Sequence, residues 1–194
     1  MIGIIGAMDE EVAMLKEKLT EVQVETKAAM DFYKGKLEGK DVVVVRSGIG
    51  KVNAAMCAQI LADVYHADHV INTGIAGSLK AEINIGDIVL STDALQHDMD
   101  AQAFGYEPGQ IPRVDTLSFK ADEKNDRSCK KSAAKKVKPG DRRIYKEELF
   151  PETSSFLIKR RRNGLLILLQ ATAQKMEGAA IAQVCYLTIF HSLL

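Results

Sequence analysis

Short apolar runs alternate with amphipathic stretches over the first half of the chain. Residues 2–6, 42–45 and 69–72 are rich in β-branched side chains and predict buried strands. Two helices are predicted between them: apolar residues recur at helical spacing after Asp9, which we expect to cap the first helix, and residues 52–64 are rich in Ala and Met. Residues 32–37, followed by Gly39-Lys40, predict a hairpin that leads into the strand at 42–45. Strands that alternate with helices predict an α/β domain around a largely buried sheet.

Loops with glycine and polar residues follow these predicted strands. In α/β proteins ligands bind at the edge where strands end in such loops, so a ligand site is expected there. The loop from Gly48 to Lys51 superficially resembles a phosphate loop, but it lacks the spacing and the Ser or Thr of a Walker motif. Glu10 and Glu11 follow the first strand directly. Taken alone, acidic residues in a first helical turn indicate only a complement to the helix dipole.

Composition narrows the class of protein. With 194 residues, 46% of them hydrophobic, the chain is long enough for one domain with a real core. Its 26 basic and 26 acidic residues give a formal net charge of +0, which argues against electrostatic nucleic-acid binding. The three cysteines are far apart and favour a reducing cytosol. We expect neither a signal peptide nor a membrane span, because the start turns acidic and no apolar run reaches ~18 residues.

Eight short motifs carry the most specific signal. In chain order they are GIIGAMDEE at residues 3–11, SGIGKV at 47–52, NTGIAG at 72–77, GDIV at 86–89, HDMD at 97–100, AFGY at 103–106, FKAD at 119–122 and MEGAAIAQVC at 176–185. As an ordered set they resemble the 5′-methylthioadenosine/S-adenosylhomocysteine nucleosidase family, over residues 1–124 and 171–187. The resemblance implies a nucleoside phosphorylase-like three-layer α/β fold with a mixed central sheet. It also implies that residues 1–194 form a single nucleosidase domain whose C-terminal portion is incomplete.

The resemblance implies hydrolysis of the bond between adenine and ribose by a dissociative route, without cofactor or metal. It places the base that orients and deprotonates water on Glu11, since a carboxylate also suits a developing cation. Glu177 is expected to accept hydrogen bonds from the ribose hydroxyls, with Met176 packing on the sugar. The residues expected to line the pocket for the 5′-alkylthio group are Met8, Ile49, Phe104, Tyr106 and Pro112.

The resemblance also implies a cytoplasmic homodimer in methionine salvage, because family members reach into the partner's site around Phe104. Partners other than the nucleoside and a second copy, such as nucleic acid or membrane, are not expected. Two positions differ from the family. Ile75 stands where Ser is common, which predicts the loss of one polar contact at this substrate-binding position, and Lys175 stands where Glu is usual.

Residues 125–170 and 188–194 depart from the family pattern. The family's Ser-Gly-Asp-x-Phe-Ile segment, whose Phe stacks on adenine, and its late Ser-Asp, whose Asp protonates adenine, are both absent. Back-translation with permitted codons, read from the third base, turns residues 188–194 into Asn-Ile-Pro-Phe-Ile-Val and residues 147–156 into Arg-Val-Ile-Ser-Gly-Asp-Lys-Phe-Ile. We therefore hypothesise frameshifts in two stretches. We expect the literal chain to lack the proton donor and the final strand and helix, and to turn over little substrate.

Two alternatives remain open from the residues. A phosphorolytic purine or uridine nucleoside phosphorylase would need basic groups for phosphate. The 47–50 loop itself contains no Arg, although Arg46 directly precedes it. A catalytically impaired nucleoside-binding remnant would bind without turnover.

Overall fold

The apolar runs form neighbouring parallel strands. In the computed structural model β1 (Ile2–Gly6) lies between β4 (Lys40–Arg46) and β5 (His69–Asn72) and pairs in parallel with both. Residues 42–45 are all buried, as expected for a strand covered on both faces. The three predicted strands therefore end at the same edge of one sheet.

The structure describes residues 1–122, 144–150, 173–188 and 191–193. The chain divides into two compact units. The first contains Met1–Ile75 and Ala180–Leu193, and the second contains Ala76–Ala179. No helix in the described ranges is long and apolar enough to cross a membrane.

The first unit contains a six-stranded mixed sheet. Its strand order is β11-β5-β1-β4-β3-β2, where β2 is Thr20–Lys27, β3 is Met30–Leu37 and β11 is His191–Leu193. The hairpin of β3 and β4 was predicted, whereas β2, whose side chains are almost all exposed, was not. Helices α1 (Asp9–Glu17) and α2 (Lys51–Asp63) follow β1 and β4.

The predicted cap of α1 is wrong by one residue. Met8 is the N-cap and Asp9 is the first helical residue. The reason is that Glu11, at the third helical position, reaches back to the main-chain N–H of Met8, so the side chain of residue 9 is not needed as a cap.

The second unit contains a five-stranded mixed sheet in the order β6-β10-β9-β7-β8. Its strands are β6 (Gly77–Ser78), β7 (Ile88–Ala94), β8 (Phe119–Lys120), β9 (Ile144–Phe150) and β10 (Ala173–Gln174). Helix α3 (Gly178–Thr188) follows β10, as its Ala-rich sequence predicts. Both sheets mix parallel and antiparallel pairs, which confirms the predicted α/β class.

Two strands form within segments that depart from the family motifs. β9 pairs in parallel with β7, and β11 (His191–Leu193) pairs in parallel with β5. The expectation that the chain lacks the final strand is therefore wrong. Strand pairing uses main-chain N–H and C=O groups, which any residue except proline supplies. The rest of the departing segments, residues 125–143, 151–170, 189–190 and 194, lies outside the described residues.

Candidate active site

Three loops meet where β1, β4 and β5 end in the first unit. The main-chain N–H of Ser47, after β4, donates to Gly6 O at 2.9 Å, and the N–H of Thr73, after β5, donates to Ile5 O at 2.9 Å. The Ser47 hydroxyl is buried and donates to Gly48 O at 2.8 Å. These bonds fix the carboxyl edge of the sheet, where α/β proteins bind ligands.

Glu11 presents its carboxylate at this edge, held by three main-chain donors. Its Oε2 accepts hydrogen bonds from the N–H groups of Ala7 at 2.6 Å and Met8 at 3.1 Å. Its Oε1 accepts one from the N–H of Ile75 at 2.9 Å. The bonds from residues 7 and 8 belong to the start of helix α1, but the bond from Ile75 crosses from the loop after β5. Glu11 therefore does more than cap its helix.

The contact at position 75 comes from the main chain. The sequence predicted that Ile75 loses a polar contact that Ser would make. In the structure the N–H of residue 75, not its side chain, donates to Glu11. The isoleucine side chain itself is 74% exposed. This hydrogen bond does not depend on the side chain at position 75, and the loss of a Ser contact stays a prediction.

Gly6 makes the position of this carboxylate sterically possible. A Cβ at residue 6 would lie 2.7 Å from Val12 Cγ1, 3.0 Å from Glu11 Cβ and 3.4 Å from Glu11 Oε2. Any larger residue would push against the first turn of α1. Sequence reasoning missed this role of Gly6, although a glycine directly before an acidic helix start was the signal available.

A charged pair lies beside the same loops. Arg46 Nε is 3.2 Å from Asp9 Oδ1, and Lys16 Nζ lies 3.6 Å from the same oxygen. Asp9 therefore pairs with the basic residue that directly precedes the 47–50 loop. The sequence singled out Asp9 and Arg46 separately but not their ion pair, because residues 9 and 46 come together only through the pairing of β1 with β4.

The other predicted residues of the first unit lie at the same edge. Met8 is half-buried and adjoins Glu11 through its N–H. Ile49 is 56% exposed, and its C=O accepts a hydrogen bond from Asn53 Nδ2 at 2.9 Å. Both present apolar side chains that a ligand can cover.

Three predicted pocket residues lie in the second unit. Phe104 ends a short 3₁₀-helix (Gln102–Phe104) with its ring 82% exposed. Tyr106 is half-buried, and Pro112 is exposed.

The predicted ribose-binding residues precede helix α3. Met176 is half-buried, and Glu177 is buried at 4% exposure. Lys175, the departure from the family pattern, is also buried. This short segment therefore buries two charged side chains, Lys175 and Glu177, and charged side chains are rarely buried unless they are paired.

Known proteins match the chain over nearly its whole length. A sequence model of the phosphorylase superfamily matches residues 1–188. The 5′-methylthioadenosine/S-adenosylhomocysteine nucleosidase of Staphylococcus haemolyticus is 41% identical over 201 residues, with 96% of this chain and 80% of that protein covered. The nucleosidase of Colwellia psychrerythraea is 41% identical over 189 residues, covering 94% and 76%. The chain belongs to the 5′-methylthioadenosine/S-adenosylhomocysteine nucleosidase family. The ordered motifs that predicted this nucleosidase family are thus confirmed.

Solved structures of the nucleosidase family share the fold. The Colwellia psychrerythraea nucleosidase in complex with adenine has a TM-score of 0.93 and 37% identity, covering 99% of this chain and 78% of that one. The Neisseria meningitidis nucleosidase in complex with methylthio-immucillin-A has a TM-score of 0.93 and 31% identity, covering 99% and 82%. These likenesses confirm the predicted nucleoside phosphorylase-like fold.

Proposed function

We propose that the protein hydrolyses the N-glycosidic bond of 5′-methylthioadenosine and S-adenosylhomocysteine and releases adenine. The observation that carries the proposal is the Glu11 carboxylate, held by three main-chain N–H groups at the carboxyl edge of the sheet. Relatives about 40% identical that bear the nucleosidase name support it. One family model spans both compact units, so residues 1–194 are proposed to act as a single nucleosidase domain.

The reaction needs water, a base and a leaving adenine. Glu11 removes one proton from water, and the remaining hydroxide forms a bond to C1′ of the ribose. The bond between C1′ and adenine N9 breaks, its electron pair leaves with adenine, and adenine takes up a proton. The negative charge of Glu11 also stabilises the positive charge that develops on the sugar.

The ion pair between Arg46 and Asp9 favours hydrolysis over phosphorolysis. A phosphate ion needs uncompensated positive charge, and Asp9 holds Arg46 in an ion pair beside the 47–50 loop. The comparisons also give nucleosidases rather than phosphorylases as the named relatives. Water is therefore the proposed nucleophile.

The remaining site residues complete the proposal. Glu177 accepts hydrogen bonds from the ribose hydroxyls, and Met176 packs on the sugar. Contact with the 5′-alkylthio group is assigned to the side chains of Met8, Ile49, Phe104, Tyr106 and Pro112, and Ile75 lies beside the base. The first role is supported by the place of Glu177, a buried carboxylate directly before helix α3 in the segment that matches the family's ribose-binding motif.

We further propose a homodimer that works in the cytoplasm in methionine salvage. The exposed ring of Phe104 and the exposed apolar side chains of Val52 and Met56 support a second copy of this chain as the partner. Sedimentation velocity of the purified chain should give the mass of a dimer. A monomer at micromolar concentration would contradict this part of the proposal.

The function is tested by replacing the base. Glu11→Gln removes the proton acceptor and should lower the rate of adenine release by about 10²–10⁴-fold. The matched control is Glu10→Gln, which makes the same change at the exposed neighbouring residue and should leave the rate unchanged. Folding of both variants is checked by circular dichroism.

Two further measurements separate the alternatives. Adenine release that requires inorganic phosphate would favour a phosphorylase, whereas release without phosphate supports hydrolysis. Calorimetric binding of a methylthioadenosine analogue with no adenine release would support the impaired nucleoside-binding remnant instead.

A further inference from the structure

The two oxygens of the Glu11 carboxylate are not equivalent. An ionised carboxylate offers about four lone-pair sites, two on each oxygen. Oε2 accepts from both Ala7 and Met8, which occupies its two sites. Oε1 accepts only from Ile75 among the described residues, which leaves one site for another donor. A water molecule that donates its proton to Glu11 therefore binds at Oε1.

Ile75 reaches this oxygen from a separate part of the chain. Its N–H lies in the loop that follows β5, whereas the donors to Oε2 precede helix α1. The bonds to Oε2 alone would still let the carboxylate plane turn about its last torsion. The bond from Ile75 fixes the plane and with it the direction of the open site on Oε1.

We propose that Oε1 of Glu11 is the oxygen that accepts the proton of water, and that the N–H of Ile75 is the positioning group for this oxygen. The inference rests on the proposed hydrolysis. One proton moves from water to Oε1, the hydroxide bonds to C1′, and the electron pair of the bond from C1′ to N9 leaves with adenine. Throughout the step the N–H of Ile75 stays on Oε1.

The decisive experiment removes this one N–H and keeps the side chain. Incorporation of the α-hydroxy analogue of isoleucine at position 75 replaces the amide by an ester. We expect kcat for methylthioadenosine to fall about 10²-fold, since misplacement of a reacting group by about 1 Å has this effect, with KM changed less than about twofold. The same exchange at exposed Ala76, for which the described structure shows no acceptor, is the matched control and should preserve kcat.

The outcomes separate the two proposals. If the unmodified chain releases no adenine, the proposed hydrolysis fails and the role of Oε1 fails with it. If the unmodified chain is active and the ester at position 75 has the same kcat, only the positioning role is overturned. A rise of KM without a fall of kcat, or an equal loss for the ester at position 76, also overturns it.

Discussion

Gly6 ends β1 directly beside the carboxylate of Glu11. Its missing side chain leaves room for Val12 and for the first turn of α1, since a Cβ there would be 2.7 Å from Val12 Cγ1. Real Cβ atoms do not approach this closely, so the helix would have to move. The absence of a side chain at residue 6 therefore decides where the proposed base, Glu11, lies.

We predict that Gly6→Ala reduces both stability and turnover. Overpacking a tight site typically costs 1–3 kcal/mol, so the free energy of unfolding in urea should fall by about that amount. Adenine release should fall as well, because the added methyl displaces Glu11. Gly178→Ala is the control, because nothing lies within 4 Å of its added Cβ. Equal behaviour of the two variants would contradict the steric role of Gly6.

Strands β7 and β8 are joined by a buried carboxylate. Asp93 on β7 is 4% exposed, and its Oδ2 accepts from the Ser118 hydroxyl at 2.7 Å and from Lys120 Nζ at 2.9 Å. The two strands share only a short antiparallel ladder, which pairs residues 93 and 94 with 120 and 119. The side-chain network therefore carries much of their association.

Asp93→Ala should loosen this pair of strands. A hydrogen bond to a charged group contributes about 1.5–3 kcal/mol, so loss of the Asp93 carboxylate should lower the free energy of unfolding by that order. Asp115→Ala removes an exposed carboxylate from the same region and serves as the control. Hydrogen exchange of the amides in residues 119–121 should accelerate only in the first variant. Unchanged exchange there would show that the main-chain ladder suffices.

Two buried thiols should make the free energy of unfolding of the whole molecule fall as the pH becomes alkaline. Burial raises the pKa of Cys57 to about 12 and that of Cys185 to about 12, from an ordinary value of 9.0. Above pH 9 the unfolded chain loses these protons while the folded chain keeps them, so ionisation favours unfolding. The stability that the thiols contribute is complete below pH 9 and is lost as the pH rises towards 12.

Urea unfolding at several pH values between about 8 and 11 tests this dependence. The free energy of unfolding should fall with pH in the wild-type chain and fall less steeply in Cys57→Ala, whatever the two values are at pH 8. A thiol reagent should modify both cysteines only after unfolding. Identical slopes, or rapid labelling of the native protein at Cys57 and Cys185, would contradict their burial.

The departing segments lead to a prediction about the gene. The DNA should encode Ser-Gly-Asp-Lys-Phe-Ile, or Gln in place of Lys, and Asn-Ile-Pro-Phe-Ile-Val in an alternate frame across residues 147–156 and 188–194. Sequencing the DNA checks this directly, and codons that do not permit these motifs would end the frameshift hypothesis. The mass of the expressed protein then distinguishes a frameshift in the gene from an error in the sequence.

The sequence by itself determined the elements with a clear apolar pattern. Residues 42–45 are continuously apolar and form a buried central strand. The glycine-containing loops mark the edge of the sheet at which the proposed base lies. The ordered motifs determined the family and selected Glu11 as the proposed base. Strand β2 was not predicted, although Val22 and Val24 alternate with polar residues in its sequence.

Only the tertiary structure decided what surrounds that base. The N–H of Ile75 and the carboxylate of Glu11 are 64 residues apart in the chain, and they meet because β5 and β1 pair in parallel and end at one edge. Arg46 meets Asp9 for the same reason through β4. Main-chain donors carry no residue-specific signal, so their convergence on one carboxylate is visible only once the strands are paired.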